Sequence, residues 1–247
     1  MNTLLCGCSL SDYCGWNTVG DHSDARTWYN ITAKTAGLQL TNVSYGGHSN
    51  REILHKINKT LMLSPKRFDL VVVQMSSTNR QWFFREENFL DYCIINGGSV
   101  SGARDRQEQS ALETIQLKFS NRLVELEKDI VALIMLQNYL TVQQTPLMLI
   151  DGMGTLKYIN QLRQSPDKVF ARLDPVCQND FGALEYFAQL SSLANQINLN
   201  NVVGLDKSLI EQQIDVADDR QHPGEASNQL YADLVCKTIV NITKDKL

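Results

Sequence analysis

The sequence predicts an α/β fold built on a parallel sheet with helices on both faces. Three observations predict it. Phe68 to Met75 encloses Leu70-Val71-Val72-Val73, a continuous apolar run of the kind found in strands buried on both sides. Short strand candidates alternate with helical patterns along the chain, which favours crossover connections over hairpins. The chain has 247 residues, 43% of them hydrophobic, enough for one large domain with a proper core.

The elements follow in order. Thr3 to Gly7 reads as a short buried strand, Asp24 to Ala36 as a helix stopped by Gly37, and Leu38 to Tyr45 as a second strand. Ser49-Asn50-Arg51-Glu52 has the Ser-x-x-Glu form of a capping box, in which the serine oxygen takes up an orphan amide of the first turn. Ile53, Ile57 and Leu61 follow it at helical spacing. Pro146 to Ile150 and Asn201 to Leu205 are two further strands. The last helix opens at Pro223 and runs to about Ile242, with Leu230, Leu234 and Ile239 on one side.

A helical and loop insertion is expected around residues 80–140, as a lid or interaction element within a single domain spanning 1–247. Asn79 to Gln107 carries Trp82, Phe83, Phe84, Phe89 and Tyr92, then a Gly/Ser-rich loop from Gly97 to Gly102. After it, Gln109 to about Asn138 reads as one long helix, with Leu112, Ile115, Phe119, Leu126, Ile130 and Leu133 three, four or seven apart. Such a helix either packs on the sheet or projects and forms the seam of a homodimer.

Composition narrows the function. A net charge of −4 with no Lys/Arg block argues against a nucleic-acid surface. The longest apolar stretch, Ile130 to Leu136, is far too short to cross a bilayer, so no membrane role is expected. The opening Met1-Asn2-Thr3-Leu4-Leu5-Cys6 lacks the basic and long apolar regions of a signal peptide, and a cytoplasmic location is expected. Cysteines 6, 8, 14, 93, 177 and 236 are then expected to be reduced thiols. Cys6, Cys8 and Cys14 do not have the spacing of a zinc site, and no metal is expected.

The chemistry-bearing residues lie at the two ends of the chain. Ser9 follows the first strand, and Asp219-Arg220-Gln221-His222 precedes the last helix. A serine needs a neighbouring imidazole to accept its proton and a carboxylate to fix that imidazole's tautomer. An Asp three residues before a His can reach the ring across one turn, which favours Asp219 over Asp215 and Asp218. Each residue has a plainer role open to it. Ser9-x-x-Asp12 has a helix-capping pattern, and His222 before Pro223 fits an ordinary loop. Among the other histidines (22, 48 and 55), His48 is the rival base.

Four segments together resemble the SGNH hydrolases, also called the GDSL family. Gly7-Cys8-Ser9 is similar to the family's first block, Gly-Asp-Ser, with Cys8 at the aspartate position. Asn42 to Asn50, with Gly46-Gly47, resembles the second block, whose glycine donates a backbone N–H. Val71 to Asn79 looks like the third block, which ends Gly-x-Asn-Asp; in register the family's asparagine falls on Thr78, with Asn79 one residue later. Asp219 to Pro223 matches the fifth block, Asp-x-x-His-Pro.

The resemblance implies a three-layer sandwich with flavodoxin-like strand order and a Ser9, Asp219, His222 triad. It implies an oxyanion hole from the Ser9 and Gly47 amides and a third donor from Thr78 or Asn79. It implies cleavage of a carboxylic ester, acyl or acetyl, on a small molecule or carbohydrate, through an acyl-serine and without a cofactor. Cys8 is a rival nucleophile. Arg80, Trp82 and its neighbours Phe83 and Phe84, together with His48, are candidates for the substrate pocket; the aromatic group has a buried lid core as its plainer reading. Acyl transfer to a sugar hydroxyl, and a binding or assembly module without activity, are the alternative functions. Gly152-Met153-Gly154 lacks the rest of a phosphate-binding loop and is set aside.

Overall fold

The structure, a computed structural model, describes residues 1–12, 27–78, 80–85, 88–96, 99–101, 105–119, 122–171, 183–217 and 222–244. Its centre is a five-stranded, wholly parallel sheet. The strands are β1 (Asn2–Cys6), β2 (Gln39–Asn42), β3 (Leu70–Met75), β7 (Leu147–Asp151) and β8 (Val202–Val203). They stand in the order β2-β1-β3-β7-β8, the doubly wound order of flavodoxin-like folds. Cys6 lies beside Val73 and Met75 beside Asp151, so the loops after β1, β3 and β7 leave the sheet at one end. All six residues of β3 are buried, as its unbroken apolar run requires of the central strand.

Helices cover both faces. On one side α1 (Trp28–Ala36) and the C-terminal helix α8 (Glu225–Lys244) pack together. There Trp28, Tyr29, Thr32, Val235 and Ile239 line one small apolar space together with Thr3, Leu5, Leu40, Val72 and Met148 of the sheet. On the other side lie α2 (Asn50–Leu63), α4 (Arg122–Val142), α5 (Thr155–Gln164) and α7 (Ala183–Ala194), with the short α6 (Pro166–Phe170) against α5 and α7. Two helix ends have the chemistry read from sequence. Gly37 closes α1 in the left-handed conformation, at φ 61°. The Ser49 hydroxyl accepts the Glu52 amide at 3.4 Å and caps α2.

The insertion differs from expectation. Its second part is helical, but among the described residues of its first part stands a three-stranded antiparallel sheet of β4 (Arg80–Arg85), β5 (Asn88–Asn96) and β6 (Ser99–Ser101). The aromatic residues Trp82, Phe83 and Phe84, whose plainer reading is a lid core, are also good strand formers, which accounts for the change. The single long helix over Gln109–Asn138 is corrected as well. Two helices stand there, α3 (Arg106–Phe119) and α4, joined through residues 120–121, which lie outside the described part. They serve different surfaces: α3 packs on β5 and β6, whereas α4 packs on α2 and α7. Leu126, Ile130, Leu133, Leu136 and Leu140 of α4 are buried in the main core, and Val131, Met135, Tyr139 and Val142 face outward. Among the described residues, no helix is long and apolar enough to cross a membrane.

Candidate active site

The strand order reverses between β1 and β3, and ligands in such sheets bind at the carboxyl ends of strands beside that reversal. Ser9 follows β1 and Ser76-Ser77-Thr78 follows β3, so the first and third segments leave the sheet on either side of this point.

The turn carrying Ser9 is organised by Gln74, a fully buried residue of β3. Its Oε1 accepts hydrogen bonds from the Cys8 amide (3.2 Å) and the Ser11 hydroxyl (2.9 Å), and its Nε2 donates to the Met75 carbonyl (2.7 Å). The amide group fits between two glycines. A Cβ on Gly7 would stand 2.6 Å from Gln74 Oε1, and one on Gly152 would stand 1.9 Å from Nε2. Ser9 to Ser11 then form a short 3-10 turn in which Ser9 is half-buried while Gly7, Cys8, Leu10 and Ser11 are buried. Cys8, the rival nucleophile, is 0% exposed, with its Sγ 3.4 Å from Gln74 Oε1. Among the described residues, no cluster of His, Cys, Asp or Glu has the makings of a metal site.

The second segment is joined to this turn by polar contacts. The His48 amide donates to the Tyr45 carbonyl (3.2 Å), closing a tight turn with Gly46 and Gly47 at its centre. Gly47 has φ 85°, a conformation that favours a residue without Cβ. The Gly46 amide donates to Asp12 Oδ2 (2.7 Å) and the Asn42 side chain to the Ser11 carbonyl (2.9 Å). The Gly7 carbonyl accepts from the Tyr45 amide (3.3 Å) and lies 3.2 Å from His48 Nδ1. A carbonyl only accepts, so this contact places the ring proton on Nδ1. Burial, with the Lys56 charge adding to it, lowers the His48 pKa to about 4 and keeps the ring neutral. His48 is 2% exposed.

The third segment is held by a buried polar network. Asn50, the first residue of α2, accepts the Ser76 amide on Oδ1 (2.6 Å) and donates through Nδ2 to Asp129 of α4 (2.7 Å). Thr155, the first residue of α5, donates its hydroxyl to the Ser76 carbonyl (2.5 Å). Burial pushes Asp129 up to about 7, against the hydrogen bond from Asn50. Thr78 is half-buried in the turn that follows, and Asn79 lies outside the described residues. The Arg80 amide donates to the Ser77 carbonyl (3.1 Å), and the Arg80 side chain turns inward. Trp82 and its neighbours Phe83 and Phe84 lie on β4, with side chains outside the described part.

At the C-terminal end, the rival carboxylate Asp215 is committed elsewhere. It accepts the Ser227 amide (2.8 Å) and hydroxyl on Oδ1, and the Ala226 amide on Oδ2 (2.9 Å), so it caps α8. Burial works to raise its pKa, but these hydrogen bonds outweigh it and the net shift is downward. His222 is half-buried; its carbonyl accepts the Ala217 amide (2.8 Å), and Pro223 bridges to Val216. Asp218 and Asp219 lie outside the described residues.

From Pro223 a chain of hydrogen bonds leads back to the Ser9 turn. Asn228 Nδ2 donates to the carbonyls of Pro223 (3.0 Å) and Gly224 (2.8 Å). Asn228 Oδ1 accepts the Trp28 amide (2.9 Å), and the Trp28 indole donates to the Leu10 carbonyl (2.7 Å).

Gln74, Asn50, Asp129, Trp28 and Asn228 were not read as site residues from sequence. Only Gln74 gave a signal: a polar side chain closing the apolar run of a central strand demands a partner. The discarded Gly152-Met153-Gly154 stretch also has a plain role. Asp151 accepts the Gly154 (2.7 Å) and Lys157 (2.6 Å) amides, filling the N-terminus of α5, and burial nevertheless pushes its carboxyl up to about 6.

No protein-family model matches the chain, and no curated protein matches its sequence. Among solved structures, it is similar to the psychrotrophic esterase EstA from Pseudoalteromonas sp., at 12% identity, 98% coverage of both chains and a TM-score of 0.49. It is similar to TesA at 14% identity, covering 98% of this chain and 99% of that one, with a TM-score of 0.48. It is also similar to the acetyl xylan esterase AlAXEase at 11% identity, covering 97% of this chain and 100% of that one, with a TM-score of 0.48. At such scores the likeness assigns no activity.

Proposed function

We propose that this protein is a serine hydrolase that cleaves carboxylic esters through an acyl-serine intermediate. His222 takes the Ser9 proton as Ser9 Oγ attacks the ester carbonyl, and Asp219 orients the imidazole and stabilises its charged form. The Ser9 and Gly47 amides, with Thr78 or Asn79, donate to the developing oxyanion. The imidazolium returns its proton to the leaving alcohol; water, deprotonated by the same ring, then attacks the acyl carbonyl, and the ring gives that proton to the departing Ser9 Oγ as the acid is released.

The observation that carries this reading is the relay Pro223–Asn228–Trp28–Leu10, which ties the backbone after His222 to the turn that bears Ser9. The half-exposed Ser9 between buried neighbours supports it, as does the Gly47 turn joined to Gly7. The small sheet β4–β6 with α3 serves as the lid in this reading. The outward apolar residues of α4 form the surface through which a homodimer would assemble, measurable by light scattering.

The deciding experiment is hydrolysis of p-nitrophenyl acetate by the wild type and Ser9→Ala, with mass-spectrometric mapping of fluorophosphonate label. Loss of about 10³-fold or more in kcat/KM, with label on Ser9, is expected. Undiminished turnover in Ser9→Ala, or label on Cys8, rejects Ser9 as nucleophile.

A further inference from the structure

The described residues bury one cation at the proposed site without a counter-charge. Arg80 begins β4, immediately after the third segment, and is 9% exposed. Its Nε and Nη1 are both buried and have no hydrogen-bond partner among the described residues. The described ion pairs, Lys128–Glu125 and Lys157–Glu211, both lie elsewhere. A guanidinium does not shed its charge when buried, and leaving its N–H groups unmet is costly, so such a group is normally matched by an anion.

Position says where that anion comes from. The Arg80 amide is fixed to the Ser77 carbonyl at 3.1 Å, one turn around Thr78. The Arg80 charge also bears on the His48 ring, which contacts the Gly7 carbonyl two residues before Ser9. Two described carboxylates of the neighbouring segments have other work: Asp12 accepts the Gly46 amide and Asp129 the Asn50 side chain. The cation therefore lies beside the oxyanion segments with hydrogen-bonding capacity unused.

We propose that Arg80 binds a carboxylate carried by the substrate, so that this site takes acidic esters: a monoester of a dicarboxylic acid, or an ester on an acidic sugar. The proposal rests on the ester-hydrolase reading and adds the charge of the substrate to it. A carboxylate would meet the free N–H groups with charge-assisted hydrogen bonds and neutralise the buried charge.

The test compares the mono-p-nitrophenyl ester of adipic acid with p-nitrophenyl hexanoate, which carries a methyl in place of the terminal carboxylate. The wild type is expected to prefer the charged ester. In Arg80→Gln the ratio of the two kcat/KM values should fall about 10–100-fold, the range set by one charge-assisted hydrogen bond, and Arg80→Lys should restore part of it. A ratio unchanged between the wild type and Arg80→Gln overturns the proposal. Free adipate should also raise the wild-type melting temperature, dimethyl adipate should not, and Arg80→Gln should lose the effect. This wild-type measurement stands even if the variant fails to fold. Stabilisation by adipate without turnover of either ester would reject the hydrolase reading and keep the carboxylate site. Turnover of both esters with no charge preference and no adipate effect would do the reverse.

Discussion

The Trp28 amide donates to Asn228 Oδ1 at 2.9 Å across 200 positions of sequence. One asparagine thereby fastens the start of α1 to the start of α8 and, through its Nδ2, holds the carbonyls of Pro223 and Gly224. Asn228→Ala should cost about 2–4 kcal/mol of stability, because the Trp28 amide and the Pro223 carbonyl lose buried hydrogen bonds at once, while the Gly224 carbonyl keeps only that of the Asn228 amide. Ester turnover should fall with it, by loosening the segment after His222. Urea melts together with kcat at a temperature where the variant is folded would check both; unchanged kcat in a folded variant would detach this asparagine from the activity.

Gly152→Ala should be among the most damaging small substitutions in the chain. The added methyl would stand 1.9 Å from Gln74 Nε2 and 2.6 Å from the Met75 carbonyl. Overpacking of this kind costs about 1–3 kcal/mol, and more where the neighbour is backbone. Gly154→Ala meets no atom within 4 Å, so any loss there comes from its φ of 92° alone. Thermal melts of the two variants should rank them in that order.

Asp129 gives stability a dependence on pH that an isostere removes. Its pKa rises from 3.8 to about 7 on folding. Between those values the folded chain keeps a proton that the unfolded chain releases, so stability is lost as pH rises through the window. Asp129→Asn should therefore gain melting temperature relative to the wild type at pH 8 and gain much less at pH 4. An equal shift at both pH values would contradict the assignment.

His48 acts in the opposite direction. Its pKa falls from 6.5 to about 4, so the unfolded chain takes up a proton first as the solution is acidified, and stability is lost from pH 6.5 down to about 4. His48→Gln retains a side-chain N–H for the Gly7 carbonyl and should flatten the acid limb of the stability curve. Melts from pH 4 to pH 7 read this directly; an acid limb as steep as that of the wild type would show that another group is titrating.

Local signals made the sheet readable. The Leu-Val-Val-Val run located β3 because a strand buried on both faces reads as a nearly continuous apolar run, here closed by Gln74 and Met75. Ser49 with Glu52, and Gly37, marked helix ends because caps are made by residues adjacent in sequence. The insertion was misread for the converse reason. Arg80 to Asn96 pairs as antiparallel β4 and β5, and a lid core and a hairpin ask for the same aromatic residues. The supporting residues of the candidate site were illegible because their partners are remote: Asn50 meets Asp129 across 79 positions, and Gln74 meets Cys8 across 66.

The packing of Gln74 between Gly7 and Gly152 joins three strands that arrive from distant parts of the chain. These three positions behave as one letter of the sequence. A larger residue at 7 or 152 demands a shorter one at 74, so descendants of this chain should change them together or leave all three alone. A screen for kindred proteins gains more from asking for that trio than from weighting each site separately.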